Sequence, residues 1–253
     1  MLYIVTALYI EAKPLISLFN LKKDNTYTKF QVFSNENIKL IISGTGKIKS
    51  ATALTYLISN KDIKDNDYII NIGFIASSNN NSQLGEIVYI SKIQNAYSDT
   101  TFYPEMIYKH NFLEGSLTTF DKIIEKKIEN IEYIDMEAYG FFQTASIFFK
   151  KDKIIVLKII SDILKEKLED RILIDFKDEN LFNESYKKIY DFLLKFVNTP
   201  TDNENNFNNN EQDLIKKVLE NLKLSDTMTY ELFNILRYLK IKYGNIDILK
   251  KYE

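Results

Sequence analysis

The chain has 253 residues, with 33 Lys and Arg against 35 Asp and Glu for a formal net charge of −2, and it contains 7 Gly, 3 Pro, no Cys and no Trp. That length buries a substantial core in one or two domains. The missing cysteines exclude a disulfide framework, and the near-neutral balance leaves no basic footprint for nucleic acid and no strong attraction to an anionic membrane.

The N-terminal run Leu2–Leu8 is apolar but too short to span a bilayer, and it lacks the basic flank of a signal peptide. It reads as a buried first strand, and with the absent cysteines it points to a cytoplasmic protein. Further strands are expected at Phe30–Phe33, Ile38–Ile42, Tyr68–Ile72, Glu86–Ile93 and Ile154–Ile160. Runs such as "YIINIGF" and "KIIVLKII" lack polar alternation, which is the pattern of strands buried on both faces. Helical periods lie between them at Lys13–Phe19, Ile48–Ile58, Thr119–Lys127, Ala138–Phe149 and Phe182–Phe196. This alternation predicts an α/β domain over residues 1–198, with three αβα layers and a central, largely parallel twisted mixed sheet.

The stretch "VNTPTDNENNFNNNEQD" is polar and Asn-rich, so residues 199–213 read as a disordered linker. Residues 214–253 form a helical appendage. One helix covers Leu214–Leu222, and a second opens at Ser225 or Asp226 and runs to Tyr243 before Gly244. A unit of about forty residues rarely holds a core alone. The appendage is therefore expected to pack on the main domain or on a partner that the sequence does not name.

In α/β sheets, ligands bind beyond the carboxyl ends of the strands. Glu11 stands at the exit of the first strand, Ser43-Gly44-Thr45-Gly46 after the third, Gly73 at the fourth, and Ser161-Asp162 at the last. Met136 and Glu137 open a helix in "YIDMEAYG". "SGTGK" matches neither the Walker A spacing nor the dinucleotide fingerprint, so by itself it marks a tight strand–helix turn. An exit carboxylate alone is most often a helix cap or a solvated loop residue; three that converge on one cleft carry chemistry.

In order and spacing, "TALYIEAKPL" (6–15), "SGTGKIKSATA" (43–53), "NIGF" (71–74), "LGEIVYIS" (84–91), "DTTF" (99–102), "DMEAYGFFQTA" (135–145) and "IISD" (159–162) resemble one known family. It is that of the 5′-methylthioadenosine/S-adenosylhomocysteine nucleosidases, in the purine nucleoside phosphorylase/uridine phosphorylase superfamily. The resemblance spans about residues 1–198, and the tail has no counterpart in it. It implies a nucleoside phosphorylase-like fold and hydrolysis of a purine N-glycosidic bond without metal or cofactor.

In the roles it implies, Asp162 is the general acid that protonates the leaving purine, and Glu11 positions or deprotonates the attacking water. Glu137 binds the ribose hydroxyls with Met136 packed on the sugar, and Ser161 supports Asp162. Phe74, Ile75 and Lys158 fall at substrate-binding positions. Phe102 matches a residue that reaches into a neighbouring subunit's site, which implies a homodimer. A buried carboxylic acid can hold its proton near neutral pH.

The chain departs from the family pattern in four places. Phe74 and Ile75 replace a small-residue turn, and Lys158 replaces an arginine. Thr118, with Phe120 two residues on, stands where a base-stacking aromatic is usual. The stretch between Phe102 and Gly115 is short. Two alternatives stay open on the sequence: a phosphate-dependent phosphorylase, and a catalytically weak nucleoside-binding or scaffold protein. Phosphorylases of the superfamily generally clamp phosphate with arginine. This chain has only Arg171 and Arg237, neither at such a position, which favours water.

Overall fold

The computed structural model describes residues 1–59, 61–173, 179–197, 207–222 and 224–252. The chain forms two compact units, one of residues 1–105 and 111–199, the other of 106–110 and 200–253.

In the first unit the order is β1 (Leu2–Thr6), α1 (Tyr9–Leu18), β2 (Lys22–Lys23), β3 (Gln31–Ser34), β4 (Ile38–Ile42), α2 (Lys47–Ile58), β5 (Tyr68–Ser77), β6 (Ile87–Asn95) and β7 (Thr101–Phe102). Then follow β8 (Leu113–Thr119), β9 (Tyr133–Asp135), α3 (Ala138–Phe148), β10 (Ile154–Ile163), β11 (Ile172–Leu173) and α4 (Glu179–Val197). β1 is buried along its whole length because it lies between β4 and β5, parallel to both. That is why its sequence shows no polar alternation.

The sheet is mixed with its longest pairings parallel, as expected, but it is not a simple open layer between helices. β5 pairs with β10 in parallel, β10 with β6 antiparallel, β6 with β8 and β8 with β9 in parallel, and β9 returns to β5 antiparallel. The sheet is mixed, and on this side it closes on itself. The other arm runs from β5 through β1, β4 and β3 to β2 and stays open. Closure depends on two strands that the sequence pattern did not announce. β8 mixes Gly115 and Ser116 with Thr118 and Thr119, and β9 is three residues long. Neither offers enough apolar period to be seen. Residues 120–127, expected as a helix, form none: with β8 ending at Thr119 and β9 starting at Tyr133, this stretch is the connection between two parallel strands.

Helices cover both faces of β5, and its alternation shows how. Ile69 and Ile75 join Leu54, Leu57, Phe141 and Phe142 in the core that α2 and α3 close. Tyr68 and Phe74 on the opposite face meet Phe196 and Phe182 of α4, with ring centroids 4.7 and 5.2 Å apart. α2 and α3 approach closely at Gly140, where a Cβ would overlap the backbone carbonyl of Lys47.

The second unit contains α5 (Asn209–Leu222) and α6 (Asp226–Tyr243). α5 starts inside the stretch expected to be linker. The Asn208 side chain accepts from the Glu211 N–H at 3.0 Å while Glu211 accepts from the Asn208 N–H at 2.8 Å, a reciprocal cap that starts the helix early. The expected linker residues 199–206 lie outside the described residues, as does the side chain of Arg237. Ser225 caps α6 by accepting from the Met228 N–H, and Gly244 ends it at φ 79°. Phe207, Leu214, Ile215, Val218, Leu236, Ile246 and Leu249 form this unit's own buried cluster. Among the described residues no helix is long and apolar enough to cross a membrane.

Gly140→Ala is expected to destabilise the first unit by about 2 kcal/mol or more, because the obstacle is backbone and cannot rotate away. Chemical denaturation measures it, and a loss within experimental error would show that the α2–α3 contact is slack.

Candidate active site

A cleft of about 220 Å³ opens where the carboxyl ends of β1, β5 and β10 meet the start of α3. It is lined by Glu11, Phe74, Ile75, Met136, Glu137, Ser161 and Asp162, which join from separate parts of the chain. Thr45 of the "SGTG" turn, the Lys122–Ile124 segment, Asp135 and Arg171 complete the principal lining.

Glu11 stands in the first turn of α1 and turns its carboxylate back over the helix start. One oxygen accepts from the N–H groups of Ala7 and Leu8 at 2.7 and 2.8 Å, and the other accepts from Phe74 N–H at 2.9 Å. Three backbone donors from two strand ends thus converge on one carboxylate. Gly73 makes this possible: a Cβ there would stand 3.0 Å from Glu11 Oε1. Burial pushes the Glu11 pKa above its ordinary value, opposed by the Leu8 and Phe74 N–H groups and by the charge of Lys158.

Asp135 and Glu137 line the floor, with Lys158 beneath them. Lys158 is 1% exposed and pairs with Asp135 at 2.9 Å. Asp135 also accepts from Thr119 Oγ1 at 2.6 Å and from the Ala138 N–H at 2.8 Å, so it starts α3 as well as holding the lysine. Glu137 accepts from Gly46 N–H at 2.8 Å, which ties the "SGTG" turn to the start of α3. The Glu137 pKa is pushed up to about 7, first by burial and then by the Asp135 charge, with Lys158 and the Gly46 N–H pulling the other way. Burial works against the Lys158 cation, but the charges of Asp135, Glu137 and Glu11 outweigh it, and its pKa ends above the ordinary lysine value.

β10, the neighbour of β5 at the cleft, carries a bulge. Ile160 pairs with Ile75 and Asp162 with Ala76, leaving Ser161 as the extra residue. A bulge re-aims side chains where strict alternation would send one to the far face. Here it lets the adjacent Ser161 and Asp162 both line the cleft. Ser161 Oγ lies 3.3 Å from the Ile75 carbonyl and also contacts Asp162 Oδ2 closely. Arg171 donates to Asp162 Oδ1 at 2.5 Å.

Lys158, expected to touch substrate, does not line the cleft, and Phe102, expected at a neighbouring subunit's site, is not among the lining residues of this one. Lys158 lies beneath it, occupied by Asp135. Phe102 packs on Tyr139 and Phe142, with centroids 5.1 and 5.3 Å away. Thr118 and Phe120 are buried too; Phe120 packs with Ile134 and Leu164. Ile123 and Ile124 provide the apolar wall instead. Asp135 was legible only as part of a motif. No signal in the sequence points to Arg171, because β11 is two residues long and its pairing with β10, Asp162 to Leu173, is a tertiary event.

No protein-family model matches the sequence, and neither does any curated protein sequence. Solved structures do match. The nucleosidase (MTAN) of Chlamydia trachomatis aligns at TM-score 0.58 and 19% identity, over 78% of this chain and 96% of that one. The 5′-methylthioadenosine/S-adenosylhomocysteine nucleosidase of Colwellia psychrerythraea, solved with adenine, aligns at 0.61 and 17%, over 79% and 97%. That of Neisseria meningitidis, in complex with methylthio-immucillin-A, aligns at 0.56 and 17%, over 78% and 96%. The chain has the fold of these nucleosidases.

The raised Glu137 pKa fixes the sign of a stability prediction. Stability from this group is full below the ordinary carboxylate value and is lost as pH rises through about 7. Glu137→Gln should therefore gain on the parent chain by on the order of 1–2 kcal/mol between about pH 5 and pH 8. Thermal unfolding of both proteins across that range checks it; a constant gap would show that Glu137 does not titrate there.

Proposed function

We propose that the protein hydrolyses the N-glycosidic bond of a purine nucleoside of the 5′-methylthioadenosine or S-adenosylhomocysteine type and releases the base. The observation that carries this reading is the distribution of carboxylates around one cleft. Glu11, Met136 with Glu137, and Ser161 with Asp162 come from three separate parts of the chain and line the same cleft. Cleavage places positive charge on the sugar and negative charge on the base. Asp162 gives its proton to the departing purine, Glu11 takes a proton from the attacking water, and Glu137 accepts hydrogen bonds from the ribose hydroxyls.

The state of Glu11 argues for water over phosphate. The converging N–H groups of Ala7, Leu8 and Phe74 form an anion nest, and the Glu11 carboxylate already fills it. A phosphate there would meet a carboxylate rather than a guanidinium. The reaction, on this reading, needs no metal or cofactor. We further take the protein to be a cytoplasmic homodimer in which Phe102 serves the neighbouring subunit's site, with residues 1–198 as the catalytic domain and the helical tail as a separate element.

Asp162→Asn is expected to reduce adenine release at least about 100-fold while nucleoside binding is largely kept. Base release by purified protein from a nucleoside panel, with and without phosphate, measures both points. Undiminished turnover in the variant would remove Asp162 from the role of acid, and a rate that requires phosphate would make the enzyme a phosphorylase.

A further inference from the structure

Arg171 lines the cleft from outside every motif of the sequence, and its placement bears on the acid step. It leads into β11, whose antiparallel pairing with β10 sets Ile172 against Ile163 and Leu173 against Asp162. The guanidinium is thereby delivered to Asp162 Oδ1 at 2.5 Å, with the Arg171 and Asp162 side chains only 17% and 20% exposed. Arg171 Nε is buried and has no partner among the described residues. Asp162 is therefore its described polar anchor.

The other oxygen of Asp162 contacts Ser161 Oγ, which has one hydrogen and two acceptors within reach, Asp162 Oδ2 and the Ile75 carbonyl. This allows two proton arrangements on one set of heavy atoms. With Asp162 ionised, Ser161 donates to Oδ2. With Asp162 protonated on Oδ2, the acid donates to Ser161 Oγ and the serine hydrogen turns to Ile75.

We propose that Arg171 is a positioning residue that receives Asp162 as a carboxylate once its proton has passed to the leaving base. This rests on the nucleosidase reading. In that reaction the C1′–N9 bond breaks with its electron pair going to the purine, and Asp162 gives the base a proton. The water oxygen bonds to C1′ while Glu11 takes the water's proton. Asp162 is then an anion in a half-buried cleft, and the guanidinium at Oδ1 is its counter-ion. Arg171 acts through Asp162, so its contribution exists only when the leaving group needs a proton.

The test compares a methylthioadenosine substrate with an aryl riboside whose 4-nitrophenolate departs unprotonated. Arg171→Met is expected to lower kcat on the nucleoside by roughly 10- to 100-fold, with KM within about threefold, and to change kcat on the aryl riboside by less than about threefold. Arg171→Lys, which keeps the charge and loses the fork, is expected to recover part of the nucleoside rate. Equal losses on both substrates, or no loss on either, would overturn the inference while leaving the nucleosidase reading in place. A parent enzyme that releases no base from the nucleoside would overturn that reading, and the inference with it.

Discussion

The buried ammonium group of Lys158 shares the interior with three carboxylates. It pairs with Asp135 and is felt by Glu137 and Glu11, which stand on different elements. Burying a charge without a partner is expensive, and breaking such a pair strands the remaining ion. Lys158, lying beneath the cleft, therefore offsets the charge of Asp135, Glu137 and Glu11 together. Asp135 links this charge to the backbone, since it also accepts the first N–H of α3 and the Thr119 hydroxyl. The lysine, the start of a helix and the end of β8 are thus held by one side chain.

The sheet topology makes that convergence possible. β10 touches both β5 and β6, and β9 closes the circuit back to β5. Closure brings the end of β8, the short strand before α3 and the end of β10 to one place. The bulge at Ser161 then lets two adjacent residues line one cleft, which unbroken pleating forbids. The closure of the sheet and the bulge in β10 shape the site.

Local sterics complete the arrangement. Gly73 leaves room for the Glu11 carboxylate, and the next residue, Phe74, gives that carboxylate its N–H and turns its ring to Phe182. The bulky residue in place of a small-residue turn is accommodated because α4 supplies an aromatic partner for it. Ile123 and Ile124 add apolar side chains to the lining of the same cleft.

The sequence by itself determined the apolar strands, most helices and the carboxylates at the strand ends. Buried runs and helical periods are local patterns, and Glu11, Glu137 and Asp162 are marked by where those patterns stop. It also marked the cap of α6 at Ser225 and its end at Gly244. Only the tertiary structure decided how the sheet closes, because β8, β9 and β11 owe their existence to neighbours rather than to their own hydrophobicity. It placed Lys158 under the cleft and not in it, since a lysine reads the same in sequence whether it meets solvent or a buried Asp135. It likewise set Arg171 on Asp162, nine residues away along the chain, through a two-residue strand whose pairing has no local signature.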